Sequence, residues 1–225
     1  MKPTTLTLAI VLLGSGLQQA GAAQIPFIDV TATGTFVNSL TLLTNGIFPG
    51  EGSAWNSAAT VQFTRYSAAA DTEYFVFDMG ALFTVTDIVL SVDNNDSYTI
   101  EYGTNGSTWS TLTVADRTFG EVGNGMDTLS SVAGNAEYVA GMDFPPSGPA
   151  RYLRVYVDGW GNVPQNLFSD PYVGDGAFAI GEFQAFGEVY VPLPAAWLLG
   201  GSALAGLAGY TQRRAAHRDA PSHQP

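Results

Sequence analysis

The groups that could do chemistry in this 225-residue chain are carboxylates, with a few aromatic and amide side chains beside them. There are 20 Asp and Glu residues, no cysteine and two histidines, His217 and His223, both in the C-terminal tail. Without cysteine there is no disulfide, no thiolate nucleophile and no Cys-ligated zinc. Without an imidazole between residues 24 and 189, no His-based triad or His metal site can be built there. Carboxylates alone can hydrolyse glycosides in pairs, or bind a hard cation together with carbonyl and amide oxygens. Chance pairs are unavoidable at this acidic density and no spacing singles one out, so no catalytic residue is assigned and the chain reads as a non-enzyme. The densest oxygen cluster, Asp93-Asn94-Asn95-Asp96, lacks the spacing and distal glutamate of an EF-hand loop. It is expected to be a solvated turn.

Charge narrows the partners. Lys2, Arg213, Arg214 and Arg218 lie in the termini, so the body keeps Arg65, Arg117, Arg151 and Arg154. Of the 20 acidic residues only Asp219 lies outside the body, so four cations face nineteen anions and the body is near −15. Such a field repels nucleic acid and anionic membrane, because phosphate binding needs clustered Lys and Arg.

The elements that must position these groups begin with the two ends. Lys2, an apolar run from Leu6 to Leu17, and Ala20-Gly21-Ala22-Ala23 form the pattern of a secretory signal helix, residues 1–23, cleaved after Ala22 or Ala23. At the other end, Val191-Pro192-Leu193-Pro194-Ala195 leads into an apolar stretch to Tyr210, followed by Arg213-Arg214. Prolines suit the first turn of a helix and not its interior. Ala195 to Tyr210 would span roughly 24 Å as a helix, short of the ~30 Å hydrocarbon core unless Val191 and Leu193 extend it. Trp197 and Tyr210 stand where interfacial aromatics lie, and the arginines mark the cytoplasmic side. The order of motif, span and basic pair resembles the PEP-CTERM sorting signal in its Val-Pro-Leu-Pro-Ala variant. That resemblance implies recognition by an integral-membrane exosortase that cleaves near the proline motif. The chain departs from the pattern by continuing through His217 to Pro225. The expected organisation is a signal at 1–23, a body at 24–189, a sorting and transmembrane segment at 190–214, and a short cytoplasmic tail at 215–225. The protein is thus expected to be exported, held in the inner membrane with its body on the periplasmic side, and then passed to the cell surface or extracellular matrix.

The body carries no helix-period pattern of useful length. Short runs of β-branched and aromatic residues alternate with turn signals, which argues for an all-β sandwich or barrel. Phe75, Phe77 and Met79 alternate with Tyr74, Val76 and Asp78; Ile88, Leu90 and Val92 share one face; Tyr98, Ile100 and Tyr102 follow. Thr104-Asn105-Gly106-Ser107 is a hairpin turn. Leu153, Val155 and Val157 mark another strand, residues 177–187 supply the last, and residues 119–148 read as loop or edge structure.

The order of landmarks in the body resembles the discoidin, or coagulation-factor C-type, domain of the galactose-binding-like jelly rolls. The carriers are Leu43-Thr44-Asn45-Gly46 with Ser53-Ala54-Trp55, Phe77-Asp78-Met79-Gly80, Tyr98 to Trp109, Ala150-Arg151-Tyr152-Leu153-Arg154-Val155, and Ile180 to Gly187. The resemblance implies one structural calcium ion, held by Asn45, Ser53 and Glu182 with nearby carbonyls. Asn45 stands where the family usually has aspartate, and the segment from Ile47 to Gly52 is longer than usual. It also implies ligand binding by loops at one end of the sandwich. The candidates there are Trp160 with Asn162, and Arg65 with Tyr66, an aromatic face flanked by amide or guanidinium donors being suited to a sugar ring. Trp55 and Trp109 are expected in the core. Three functions stay open: a surface or matrix protein binding glycan or exopolysaccharide, a structural matrix component without a defined ligand, and a glycoside hydrolase.

Overall fold

Alternation along the strands decides what this chain buries. The protein is described by a computed structural model over residues 22–63, 73–122, 125–158 and 178–192. The chain divides into two units, Met1–Val189 and Tyr190–Pro225. All ten described strands belong to the first: β1 (Ala23–Ile25), β2 (Asp29–Thr33), β3 (Phe36–Val37), β4 (Val61–Phe63), β5 (Tyr74–Asp93), β6 (Ser97–Gly103), β7 (Ser110–Ala115), β8 (Met126–Ser130), β9 (Ala150–Asp158) and β10 (Phe178–Val189). Short 3-10 turns lie at Leu40–Thr44 and Ala140–Met142. Every ladder between these strands is antiparallel.

The hub is β5, twenty residues long. Its first part, Phe75 to Asp78, pairs with β9 and β2, and its second part, Phe83 to Val92, pairs with β10, with Val89 to Asp93 also pairing β8. Gly80 marks the bend: its φ is +74°, a conformation that disfavours any Cβ, and its N–H donates to Asp78 Oδ1 at 2.7 Å. One strand therefore serves two layers that face each other. Phe77, from the first part, meets Phe183 of β10 with ring centroids 4.7 Å apart, and Phe63 of β4 meets Phe75 at the same separation. This is the sandwich expected from the alternation, with Phe75, Phe77, Ile88, Leu90, Val92, Tyr98, Ile100, Leu153 and Val155 all fully buried. Each such side chain contributes about 1.5–3 kcal/mol of hydrophobic stabilisation.

Residues 119–148, expected as loop or edge structure, contain one strand, β8, which pairs with β5 alone among the described strands. Its sequence, Met-Asp-Thr-Leu-Ser, has no apolar alternation, and all five residues are buried. No helix among the described residues is long and apolar enough to cross a membrane. Residues 1–21 of the expected signal helix and residues 193–225, with Leu193, Pro194, Ala195, Arg213 and Arg214, lie outside the described residues. Val191 and Pro192 are described, exposed and outside any strand.

Candidate functional site

The four ligand candidates Arg65, Tyr66, Trp160 and Asn162 lie outside the described residues, but the strands that carry their loops are described. Residues 64–72 run from the end of β4, and residues 159–177 run from the end of β9 to the start of β10. Phe63 pairs with Phe178, Ser97 pairs with Asp158, and Val92 pairs with Ile180. These pairings gather both loop stems and the Asp93–Asp96 turn at one end of the sandwich. The chain enters and leaves at the other end: Ala23 pairs with Gly187, and Val189 pairs with Phe83 beside the Gly80 bend. Twelve residues of β10 separate the two ends, roughly 40 Å at ~3.4 Å per residue.

The turn at the loop end departs from expectation. Asp93, Asn94, Asn95 and Asp96 do form a turn, but they are 1%, 3%, 4% and 6% exposed, so it is buried and not solvated. The reason is organisational: Asn94 Nδ2 donates to Phe119 O, Val122 O and Asp127 Oδ2, stitching the 119–122 segment onto the turn.

Asn45, Ser53 and Glu182 belong to one loop and the strand beneath it. The 45–53 loop crosses the outer face of the β10–β5–β8 layer. A Cβ on Gly181 would collide with Pro49, and Gly52 and Ser53 exchange backbone hydrogen bonds with Met126 on β8 (2.8 and 2.9 Å). Glu182 lies opposite Ser91, and Ser91 opposite Thr128; the loop leaves Glu182 1% and Ser91 0% exposed. Burial raises the Glu182 pKa, opposed by the Gln184 side chain and the Gly46 and Asn45 amides. Glu182 Oε2, Ser91 Oγ and Ser53 Oγ are buried without a hydrogen-bond partner. Such orphaned oxygens suit a hard cation. Asn45 fits less well: it is exposed, and its Oδ1 is already used by Ile47 N–H at 2.8 Å. Ser91 was not singled out from sequence, because a serine facing a covered surface looks like any outward strand residue. No group of three or more acidic or histidine side chains poised around one metal position occurs among the described residues.

Beside this loop the fold brings together carboxylates that are distant in sequence. Asp127 is fully buried; its Oδ2 accepts from Asn94 Nδ2 (2.9 Å) and Val122 N–H (3.1 Å). Its pKa is pushed up to about 7, first by burial and then by the neighbouring carboxyl of Glu51 and the charge of Glu121. Glu137 is raised by burial and by Glu121 and Glu51. Glu51 Oε2 accepts from Thr128 N–H at 3.2 Å, which fastens the loop to the edge of β8.

The opposite layer is arranged differently. On its outer face Arg154 of β9 gives Nε and Nη2 to Glu101 Oε2, with Nε at 2.7 Å. Its guanidinium lies 4.8 Å from the Trp109 ring centroid, 5.2 Å from that of Tyr156 and 5.3 Å from that of Tyr74. Arg151 binds Asp78 through both Nε and Nη2 at 3.0 Å, which lowers the Asp78 pKa, and sits over Tyr152. Trp109 and Trp55 are thus corrected: both are part-exposed and neither belongs to the core. A Cβ on Gly103 would collide with the Thr108 carbonyl oxygen and stand 3.3 Å from the Trp109 ring, so glycine there lets the 108–109 segment pass close over β6.

A model of the F5/8 type C domain matches residues 42–167. The chain belongs to the F5/8 type C domain family. That stretch contains the calcium-candidate loop, all four ligand-candidate residues and the whole of β4 to β9; β10, with Glu182, follows it. No curated protein sequence matches the chain. Solved structures with a similar backbone include a truncated AlyQ with CBM32 and alginate lyase domains (16% identity, 75% of this chain and 34% of that chain, TM-score 0.45). Others are the C-terminal domain of a chitobiase from Bacteroides fragilis (16%, 75% and 100%, 0.43) and CBM32-1 from a family 31 glycoside hydrolase from Clostridium perfringens (14%, 71% and 94%, 0.39). This chain spans about a third of the length of the first.

Proposed function

We propose that this F5/8 type C protein is an exported glycan-binding module that works at the cell surface or in the extracellular matrix. The observation that carries the reading is the convergence of both candidate loop stems on one end of the sandwich. That end is opposite the one where the chain enters at Ala23 and leaves at Val189. Arg65, Tyr66, Trp160 and Asn162 belong to the loops that leave from those stems. Aromatic and donor side chains there would meet a sugar ring, the aromatic face by stacking and the amide and guanidinium by hydrogen bonding. The net acidity of the body makes nucleic acid an unsuitable partner.

In this reading an exosortase-type membrane enzyme acts on Val191-Pro192-Leu193-Pro194-Ala195, with Arg213-Arg214 holding the cytoplasmic side. One calcium ion would sit under the 45–53 loop, held by Glu182, Ser53 and Ser91 oxygens and fixing that loop to β10. The orphaned oxygens there support it.

A pull-down of the full-length chain on a polysaccharide panel, in calcium and in chelator, tests the binding. Saturable capture of at least one glycan is expected; no capture in either condition leaves a purely structural matrix component. Mass spectrometry of the mature protein from cell fractions tests sorting. A new C-terminus near Pro194 is expected, and an intact C-terminus in the inner membrane would contradict processing.

A further inference from the structure

The described surface holds a second arrangement of aromatic rings and fixed donors, which starts beside the loop stems at Tyr74 and Tyr156 and runs along the strands to Tyr152 and Trp109. It is the outer face of the layer formed by β5, β9, β6 and β7. Arg154 is paired across the ladder with Val76 of β5 and Glu101 of β6, Tyr156 with Thr99, and Tyr152 with Gly103. Tyr74, Trp109, Tyr152 and Tyr156 are all part-exposed. Beside them β2 contributes the exposed hydroxyls of Thr31 and Thr33. The result is a run of rings and hydroxyls that crosses the strands.

Three features point to a ligand and to its class. Both arginines bind their carboxylates through Nε and Nη2, which fixes each guanidinium and leaves Nη1 unused in the hydrogen bonds among the described residues. Thr99, between the core residues Tyr98 and Ile100, faces this surface, and its hydroxyl is buried without a hydrogen-bond partner among the described residues; such an orphan is unusual in a purely structural face. Each arginine is matched by one carboxylate, Arg154 by Glu101 and Arg151 by Asp78, and exposed Asp29 adds another at the β2 edge, so this face carries no excess of positive charge. An anionic polymer would be repelled by the body's charge and would meet cations already neutralised. A neutral polyhydroxylated chain suffers neither penalty, and it offers both apolar ring faces for Tyr and Trp and hydroxyls for Nη1.

We propose that this face is a second carbohydrate surface, taking a neutral polysaccharide chain laid across β5, β9, β6 and β7. It rests on the glycan-binding reading but not on the loop-end site. A strand face that begins beside the loop stems would let one module grip a long chain at more than one point, raising avidity.

The test uses the full-length chain in affinity electrophoresis against mixed-linkage β-glucan, galactan and xylan, with alginate as the anionic probe. Trp109→Ala and Tyr156→Ala should each weaken retention by a neutral polysaccharide about fivefold, while Trp160→Ala leaves a retained fraction. If either alanine variant fails to fold, Trp109→Phe replaces it. Glycan addition should then change the tryptophan fluorescence of the wild type and lose that component in the variant. Loss of retention only with Trp160→Ala, or a fluorescence change unaltered by Trp109→Phe, would overturn the second surface and leave the loop-end reading standing. Stronger retention by alginate that depends on Trp109 would overturn the neutral class. Absence of retention by every polysaccharide would overturn both readings.

Discussion

The two outer faces of this sandwich handle charge in opposite ways. On the β9–β6 face every cation has a carboxylate and aromatic rings around it: Arg154 with Glu101, Tyr74, Trp109 and Tyr156, and Arg151 with Asp78 and Tyr152. On the β10–β5–β8 face, under the 45–53 loop, oxygens gather without a described cation. There Glu182, Ser91 and Ser53 keep orphaned atoms, and burial together with the nearby Glu51 and Glu121 raises the pKa values of Asp127 and Glu137. The difference teaches how an acidic chain with four arginines in its body distributes them. Where an arginine is built in, its carboxylate is paired within the chain. Where no arginine is described, protons or a cation from outside can meet the charge.

The largest expected effect breaks the satisfied face. Arg154→Ala should destabilise the protein by about 3–5 kcal/mol, because it strands Glu101, 8% exposed, without its partner; a urea midpoint that hardly moves would show the pair to be dispensable. Next comes the unsatisfied face. A carboxyl whose pKa is raised on folding favours the folded state at low pH, and that advantage is lost as pH rises from about 4 to about 7. Asp127→Asn keeps the shape and removes the buried charge, so it should raise stability at pH 8 by on the order of 2–4 kcal/mol and change little at pH 4. Equal effects at both pH values would contradict this assignment.

Gly181→Ala is expected to cost about 1–3 kcal/mol, since the added Cβ meets Pro49 and the loop must lift off β10. It should also abolish any calcium-dependent rise in melting temperature, as should Glu182→Gln; a calcium response that survives both would place the ion elsewhere. The smallest effect belongs to Arg151→Ala. Its side chain is 40% exposed, so the unfolding midpoint should not shift measurably.

Much of the scaffold was legible because period-two alternation is a direct consequence of one buried face. Phe75, Phe77 and Met79, then Ile88, Leu90 and Val92, read as strands and are strands with those residues inward. The Asn105-Gly106 turn was equally plain: Asn105 Oδ1 accepts from the Ser107 and Thr108 amides, and Gly106 takes φ +69°. What the sequence hid depends on neighbours far along the chain. β8 has no alternation, because loop 51–53 and the 119–122 segment bury the polar residues that would ordinarily face solvent. Asp93–Asp96 looks like a solvated turn until Asn94 is seen organising the next loop. Trp109 looks like core until the Arg154 guanidinium is seen against its ring. Glu51 and Asp127 have no local signal for their proximity, which arises from the loop crossing β8. The family landmarks pointed to Glu182 and Ser53, while Ser91 appears only through its register opposite Glu182.

The most direct test of glycan binding is a binding isotherm of the full-length chain on matrix polysaccharide from the cells that produce it, with Trp160→Ala and Arg65→Ala beside the wild type. Saturable binding by the wild type, weakened by both loop variants, is the predicted result. No binding by the wild type, with or without calcium, would contradict it.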